Sequence, residues 1–142
     1  MYDRILVPLE HSYADETILA HVRELARRLG SSLVLIHVAD GWVARNIREL
    51  DLRESEEMRE DRAYLESISA RLQSEGFDAD AVLAAGDPAK EIAEAAVREK
   101  CDLIAMATHG HRLLEDVVKG STATALRHLT KVPILMVRAE KK

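Results

Sequence analysis

Four runs of apolar residues, each nearly uninterrupted, constrain this chain more than anything else in it: ILVPL at 5–9, SLVLIHVA at 32–39, DLIAMAT at 102–108 and VPILMVR at 132–138. A strand with one wet face alternates apolar and polar residues. A strand that stays apolar is buried on both faces, the condition of a parallel sheet covered by helices. A weaker fifth run, DADAVLAA, occupies 78–85.

The intervening segments carry helical patterns. Ile18, Val22, Leu25 and Leu29 recur at helical spacing, with Leu19 and Ala26 beside them. SYAD at 12–15 has the form of a capping box, and Gly30 reads as a helix stop. Asp87 and Pro88 read as the N-cap and first residue of another helix, whose Ile92, Ala96 and Val97 face inward. Ala125, Leu126 and Leu129 mark a short last helix after Gly120. Tyr64, Leu65, Ile68 and Leu72 predict a crossover helix over 60–75. Upstream of it, residues 45–62 hold seven acids and five arginines, and 42–58 reads as a solvated helix or flap. Strand and helix alternate throughout, which predicts right-handed crossovers and helices on both faces of the sheet.

Composition narrows the function. At 142 residues and 47% hydrophobic, the chain reads as one domain, 1–142, with its own core. A net charge of −5 argues against nucleic acid as a partner. The lone Cys101 excludes an internal disulfide and fits a reducing compartment. The start, MYDRILVPLEH, carries charge too early for a signal peptide, and no apolar run reaches about 18 residues. The expectation is a cytoplasmic protein without membrane insertion.

In an open α/β sheet, ligands sit outside the carboxyl ends of the strands. Those ends are Pro8–Ser12, Val38–Trp42, Gly86–Asp87 and Ala107–His111. Gly110 follows one of them, and Gly120 precedes a helix that opens with Ser121 and Thr122. Free amides at a helix start suit a phosphate, and glycine lets the phosphate approach. Plain turn and cap chemistry explains the same glycines, and the residues alone leave both readings open. Neither a Walker A loop nor a Rossmann fingerprint is present. The histidines at 11, 109 and 111 are weak evidence for a metal and read as polar loop residues or phosphate contacts. His37, in a core strand, reads as a satisfied buried histidine; Met106 and Met136 read as core filler. No nucleophile, acid pair or arginine finger can be placed, so the protein is not expected to be an enzyme.

ILVPLEHS, LIHVAD, GDPAKEI, DLIAMATHG and GSTATALRHLTKVPILMVR together resemble the universal stress protein family over essentially the full length. The nucleotide-binding branch carries G-x2-G-x9-G-[S/T]; here Ala107 stands for the first glycine, while Gly110, Gly120 and Ser121 keep the spacing. The family's Asp-Gly-Ser after the first strand is Glu10-His11-Ser12 here. The resemblance implies ATP, carried with Mg or Mn, bound by Pro8, Glu10, Val38, Ala107, Gly110, His111, Gly120, Ser121 and Thr122. Glu10 falls to the nucleoside end, although a carboxylate there could instead bond nearby backbone amides. The protein is expected to be an α/β, Rossmann-like chain with an open five-stranded parallel sheet in order 3-2-1-4-5. It would act as a nucleotide-dependent stress sensor or adaptor. It would also form a homodimer through Val132–Arg138, since a long apolar terminal strand at a sheet edge invites pairing. The alternative is a dimeric interaction protein whose phosphate loop is vestigial.

Overall fold

The computed structural model describes residues 1–39, 52–109 and 122–139. Among these, strands β1 (Arg4–Pro8), β2 (Ser32–Ala39), β3 (Ala79–Ala85), β4 (Leu103–His109) and β5 (Ile134–Ala139) form one sheet in order β3-β2-β1-β4-β5. All the pairings are parallel. Helices α1 (Ala14–Leu29), α2 (Leu52–Ser74), α3 (Pro88–Arg98) and α4 (Thr122–Leu129) connect or cover the strands. The expected class and strand order are both present.

Burial on both faces explains the uninterrupted apolar runs. Ile5, Val7, Leu33, Leu35, Leu103 and Ala105 meet α1 and α2 through Ile18, Leu19, Val22, Leu65, Ile68 and Leu72. Leu6, Val34, Ile36, Ile104 and Met106 meet α3 and α4 through Ile92, Ala95, Ala96, Ala123 and Leu126. Each fully buried Leu or Ile contributes on the order of 2 kcal/mol. Cys101 packs in the second layer, where burial pushes its thiol up to about 11. No disulfide involves it.

The helix signals held in most details. Gly30 takes the left-handed conformation at φ 71° and returns its N–H to the Ala26 carbonyl. The Asp87 carboxylate accepts from the Lys90 N–H at 3.0 Å, with Pro88 at the first helical position. The capping box at 12–15 forms only half. The Asp15 carboxylate reaches back to the Ser12 N–H at 3.3 Å, while the Ser12 hydroxyl accepts from Ala14 rather than Asp15. The crossover helix begins at Leu52, eight residues before the expected 60. Within its charged first half, glutamate, arginine and methionine favour a helix without needing an apolar stripe. The remainder of the 42–58 segment, up to residue 51, lies outside the described residues.

Two inward assignments, Val97 and Met136, are corrected, and the last helix buries fewer of its apolar residues than it carries. Val97 is 75% exposed, because the buried stripe of α3 runs through Ala89, Ile92, Ala93 and Ala96 on the other side. In α4, Ala123 and Leu126 are buried, whereas Ala125 and Leu129 are exposed. Met136 is 48% exposed, because β5 pairs on one side only and lies at the edge of the sheet. That strand also begins at Ile134, past Val132 and Pro133.

Candidate functional site

The sheet order reverses between β1 and β4, since β1 leads outward to β2 and β3 while β4 leads outward to β5. At such a point the helices diverge to opposite faces and leave a crevice at the carboxyl ends of the strands. A cavity of about 530 Å³ opens there. It runs over the strand ends from α2 on one side to α3 and the first residue of α4 on the other.

The two flanks differ in chemistry. The flank toward α3 and α4 is apolar and built from Ile36, Val38, Pro88, Ile92 and Met106. The flank toward α2 carries Glu10, His11, His37, Glu57 and Asp61. A flat heterocycle suits the first flank, and hydroxyl or amino donors suit the carboxylates of the second. An anionic group is repelled from Glu10, Glu57 and Asp61, and the hydroxyl-bearing start of α4 at Thr122 is the favourable end for it.

The β1–α1 turn is tightly organised. His11 has φ 62°, a left-handed backbone that a side chain makes costly by roughly 1–2 kcal/mol. The Asp15 carboxylate, 1% exposed, offsets this by accepting from the amides of Glu10 at 2.8 Å, His11 at 2.9 Å and Ser12 at 3.3 Å. The Tyr64 hydroxyl donates to the same carboxylate at 2.6 Å. Burial first, and then the bond to Asp15, holds that phenol well above its ordinary range, so it stays a donor. The imidazole of His11 stacks on the Tyr64 ring, with centroids 4.0 Å apart, and its Nδ1 lies 3.0 Å from Asp61 Oδ1. The other carboxylate oxygen of Asp61 faces His37 Nε2 at 3.4 Å, and His37 Nδ1 meets the Leu9 carbonyl at 2.9 Å.

Of the residues expected from the sequence, Pro8, Glu10, Val38 and Thr122 line this cavity together. Ala107 stands near the end of β4, but its side chain packs into the core beneath α1 and does not line the cavity. Gly110, His111, Gly120 and Ser121 lie outside the described residues, as does Trp42. His37 is only half-buried, where a buried histidine was expected; its Nδ1 is paired with the Leu9 carbonyl and it belongs to the cavity wall. Among the described residues no cluster fits a metal ion.

Sequence reasoning missed Asp61. A signal existed: Asp61 falls in register with Leu65, Ile68 and Leu72, placing an acid on the buried stripe of α2. An acid at such a position is 9% exposed only because it has partners.

The fold agrees with that of known proteins. A family model described as "Universal stress protein family" matches residues 1–138. Universal stress protein MJ0577 of Methanocaldococcus jannaschii is 24% identical, over 97% of this chain and 96% of its own. The solved structure of MJ0577 superimposes with a TM-score of 0.84 at 26% identity, covering 100% of this chain and 99% of that one. A universal stress protein in complex with cAMP shares the fold at a TM-score of 0.71 and 17% identity, covering 96% of each chain. One from Archaeoglobus fulgidus in complex with dAMP does so at 0.69 and 18%, covering 96% of this chain and 98% of its own. On the match to residues 1–138, this chain belongs to the universal stress protein family.

Proposed function

We propose that the cavity binds an adenine nucleotide, ATP carried with Mg or Mn, and that occupancy makes the protein a nucleotide-dependent sensor or adaptor in a stress response. The observation that carries this reading is the cavity at the strand-order reversal, with Glu10 on the flank toward α2, Val38 on the flank toward α3, and Thr122 at the start of α4. A base fits against Val38, Ile92 and Met106, and Glu10 accepts from ribose or base. The phosphates extend toward α4, which the motif residues Gly110, Gly120 and Ser121 precede in sequence. Family members in complex with cAMP and dAMP support the ligand class. We read the protein as a binder rather than an enzyme. The cytoplasm and a β5-mediated homodimer complete the reading.

Calorimetry on protein stripped of ligand tests it. ATP with Mg is expected to bind with micromolar affinity, about −8 kcal/mol. Absence of any heat at millimolar ATP and AMP would leave the cavity without its ligand and favour a purely protein-binding role.

A further inference from the structure

The turn that carries Glu10 into the cavity is held by a residue that does not itself line the cavity. Three amides of that turn converge on the Asp15 carboxylate: Glu10 on Oδ1 at 2.8 Å, His11 on Oδ2 at 2.9 Å and Ser12 on Oδ2 at 3.3 Å. These donors and their acceptor belong to one short stretch of chain, and they can swing together. The last torsion of an aspartate has no sharp wells, so the rotamer of Asp15 does not fix where its oxygens point. The fourth described donor comes from elsewhere in the fold: the Tyr64 hydroxyl lies 2.6 Å from Oδ2. Tyr64 sits on α2, which Leu65, Ile68 and Leu72 bury against the sheet, and its ring packs on the same core layer. It therefore fixes the carboxylate in the frame of the whole domain.

Tyr64 takes hold of the turn a second time. Its ring stacks on the imidazole of His11, with centroids 4.0 Å apart and planes 15° apart. His11 is in a left-handed backbone where a side chain is disfavoured, so a turn released from these holds has a cheaper conformation to relax into. Such a relaxation moves Glu10, the neighbour of His11. Burial first, and then the bond to Asp15, keeps the phenol protonated well beyond its ordinary range, so this hold does not titrate near neutrality.

We infer that Tyr64 is a positioning residue of the nucleotide site: from α2 it orients the Asp15 carboxylate and the His11 ring, and through them it sets where Glu10 stands in the cavity. The inference rests on the proposed nucleotide reading for its ligand, but the hold on the turn stands without it. α2 also supplies Glu57, Met58 and Asp61 to the cavity wall, and Tyr64 keeps Glu10 in register with them. A displacement of α2 reaches Glu10, and a ligand held by Glu10 resists that displacement to the same degree.

Tyr64→Phe keeps the ring, its stack and its packing and removes only the hydroxyl. Binding of adenosine, AMP and ATP is measured by calorimetry well below the melting temperature. Glu10 is assigned to the nucleoside end, so Tyr64→Phe is expected to weaken all three by the same factor, about fivefold. In a Glu10→Ala background it is expected to change none of them, because the side chain it positions is gone. Equal weakening in both backgrounds, or no weakening in the first, overturns the inference. A second arm needs no nucleotide. The amides of Glu10 and His11 exchange with solvent through local opening of the turn, so in free Tyr64→Phe they should exchange about fivefold faster than in the wild type. A role in overall stability alone would quicken Leu35 of β2 and leave the turn amides at their wild-type rates. Should none of the three ligands bind, this arm decides: faster exchange at the turn upholds the hold of Tyr64 on it, and wild-type rates there refute it.

Discussion

Replacing Asp15 tests how the β1–α1 turn is held. Its carboxylate is 1% exposed and takes four donors: the amides of Glu10, His11 and Ser12 and the hydroxyl of Tyr64. Bonds to a charged acceptor are worth about 1.5–3 kcal/mol each, but the carboxylate has itself been removed from water at a cost of several kcal/mol, so the four do not simply add. Removing one partner from such a buried arrangement costs about 3–5 kcal/mol. Asp15→Ala should therefore lose about 4 kcal/mol, including a small part from the first turn of α1, where an acid favours the helix. Asp15→Asn is milder for a geometric reason. Oδ2 takes three of the four donors and Oδ1 takes only Glu10, so an asparagine that keeps its oxygen at the Oδ2 place faces its NH2 against a single amide. About 2 kcal/mol is expected. Urea unfolding followed by circular dichroism measures both, with an unchanged slope showing that the same surface is exposed. At roughly 3 °C per kcal/mol for a chain of this size, the alanine variant should melt about 12 °C lower. Equal losses for Asn and Ala, or a loss under about 0.5 kcal/mol for either, would refute this account of the turn.

Glu10→Gln keeps size and one acceptor while removing charge; it should weaken ATP and AMP by similar factors, about tenfold or less, with the magnesium dependence of ATP intact. Loss of only the metal-dependent part would assign Glu10 to the cation instead. The proposed homodimer is best probed at Met136, which is 48% exposed on the edge strand, whereas Leu135 and Val137 pack against the core beneath α1. Met136→Lys should shift light scattering toward monomer at micromolar concentration without lowering thermal stability, and a monomeric wild type would refute the interface. Asp102 accepts from the amides of Asp3 and Arg4 at 3.1 Å each. Burial is the largest single influence and works against its charge, yet these bonds, its own amide and the N-terminal ammonium together outweigh it and hold its carboxyl below the ordinary range. A carboxyl lowered by folding stabilises above its unfolded pKa, and the contribution disappears as pH falls through the folded value. The stability gap between wild type and Asp102→Asn should therefore be full at neutral pH and close in acid, and a gap that widens on acidification would contradict it.

The strands were legible because burial on both faces writes itself as unbroken apolar sequence. The run at 32–39 coincides with β2, and the other strands shift by one or two residues. Small residues misled the reading of helix faces. Val97 is five residues from Ile92, about 140° around the helix, and alanine stripes accept several phases equally well. The position of the site was also legible, since the end of a strand in an alternating α/β chain is a topological fact. Its polar flank was not. Asp61 meets His11 across 50 residues of sequence and His37 from the helix that covers its face of the sheet, and no local pattern records such a meeting. The side chains of Met106 and Ala107 part for the reason strands alternate: Met106 faces the cavity, so Ala107 faces the other layer.

The pairing of β1 with β4 also has a consequence for the chain as it leaves the ribosome. Ile5 stands opposite Leu103 and Leu6 opposite Ile104, so the central strand finds one of its two partners only after roughly a hundred further residues have been made. At about 5–20 residues per second this takes on the order of 5–20 s. During that interval β1, β2 and β3 can assemble with α1 and α2, and that half-sheet presents an apolar strand with a full row of unpaired amides and carbonyls. The strand that ends as the most protected in the molecule is, for those seconds, its most exposed edge. Synthesis that stalls before β4 emerges leaves a nascent chain primed to pair with a neighbour, and a trigger factor or similar holdase acting on this protein has its natural window there.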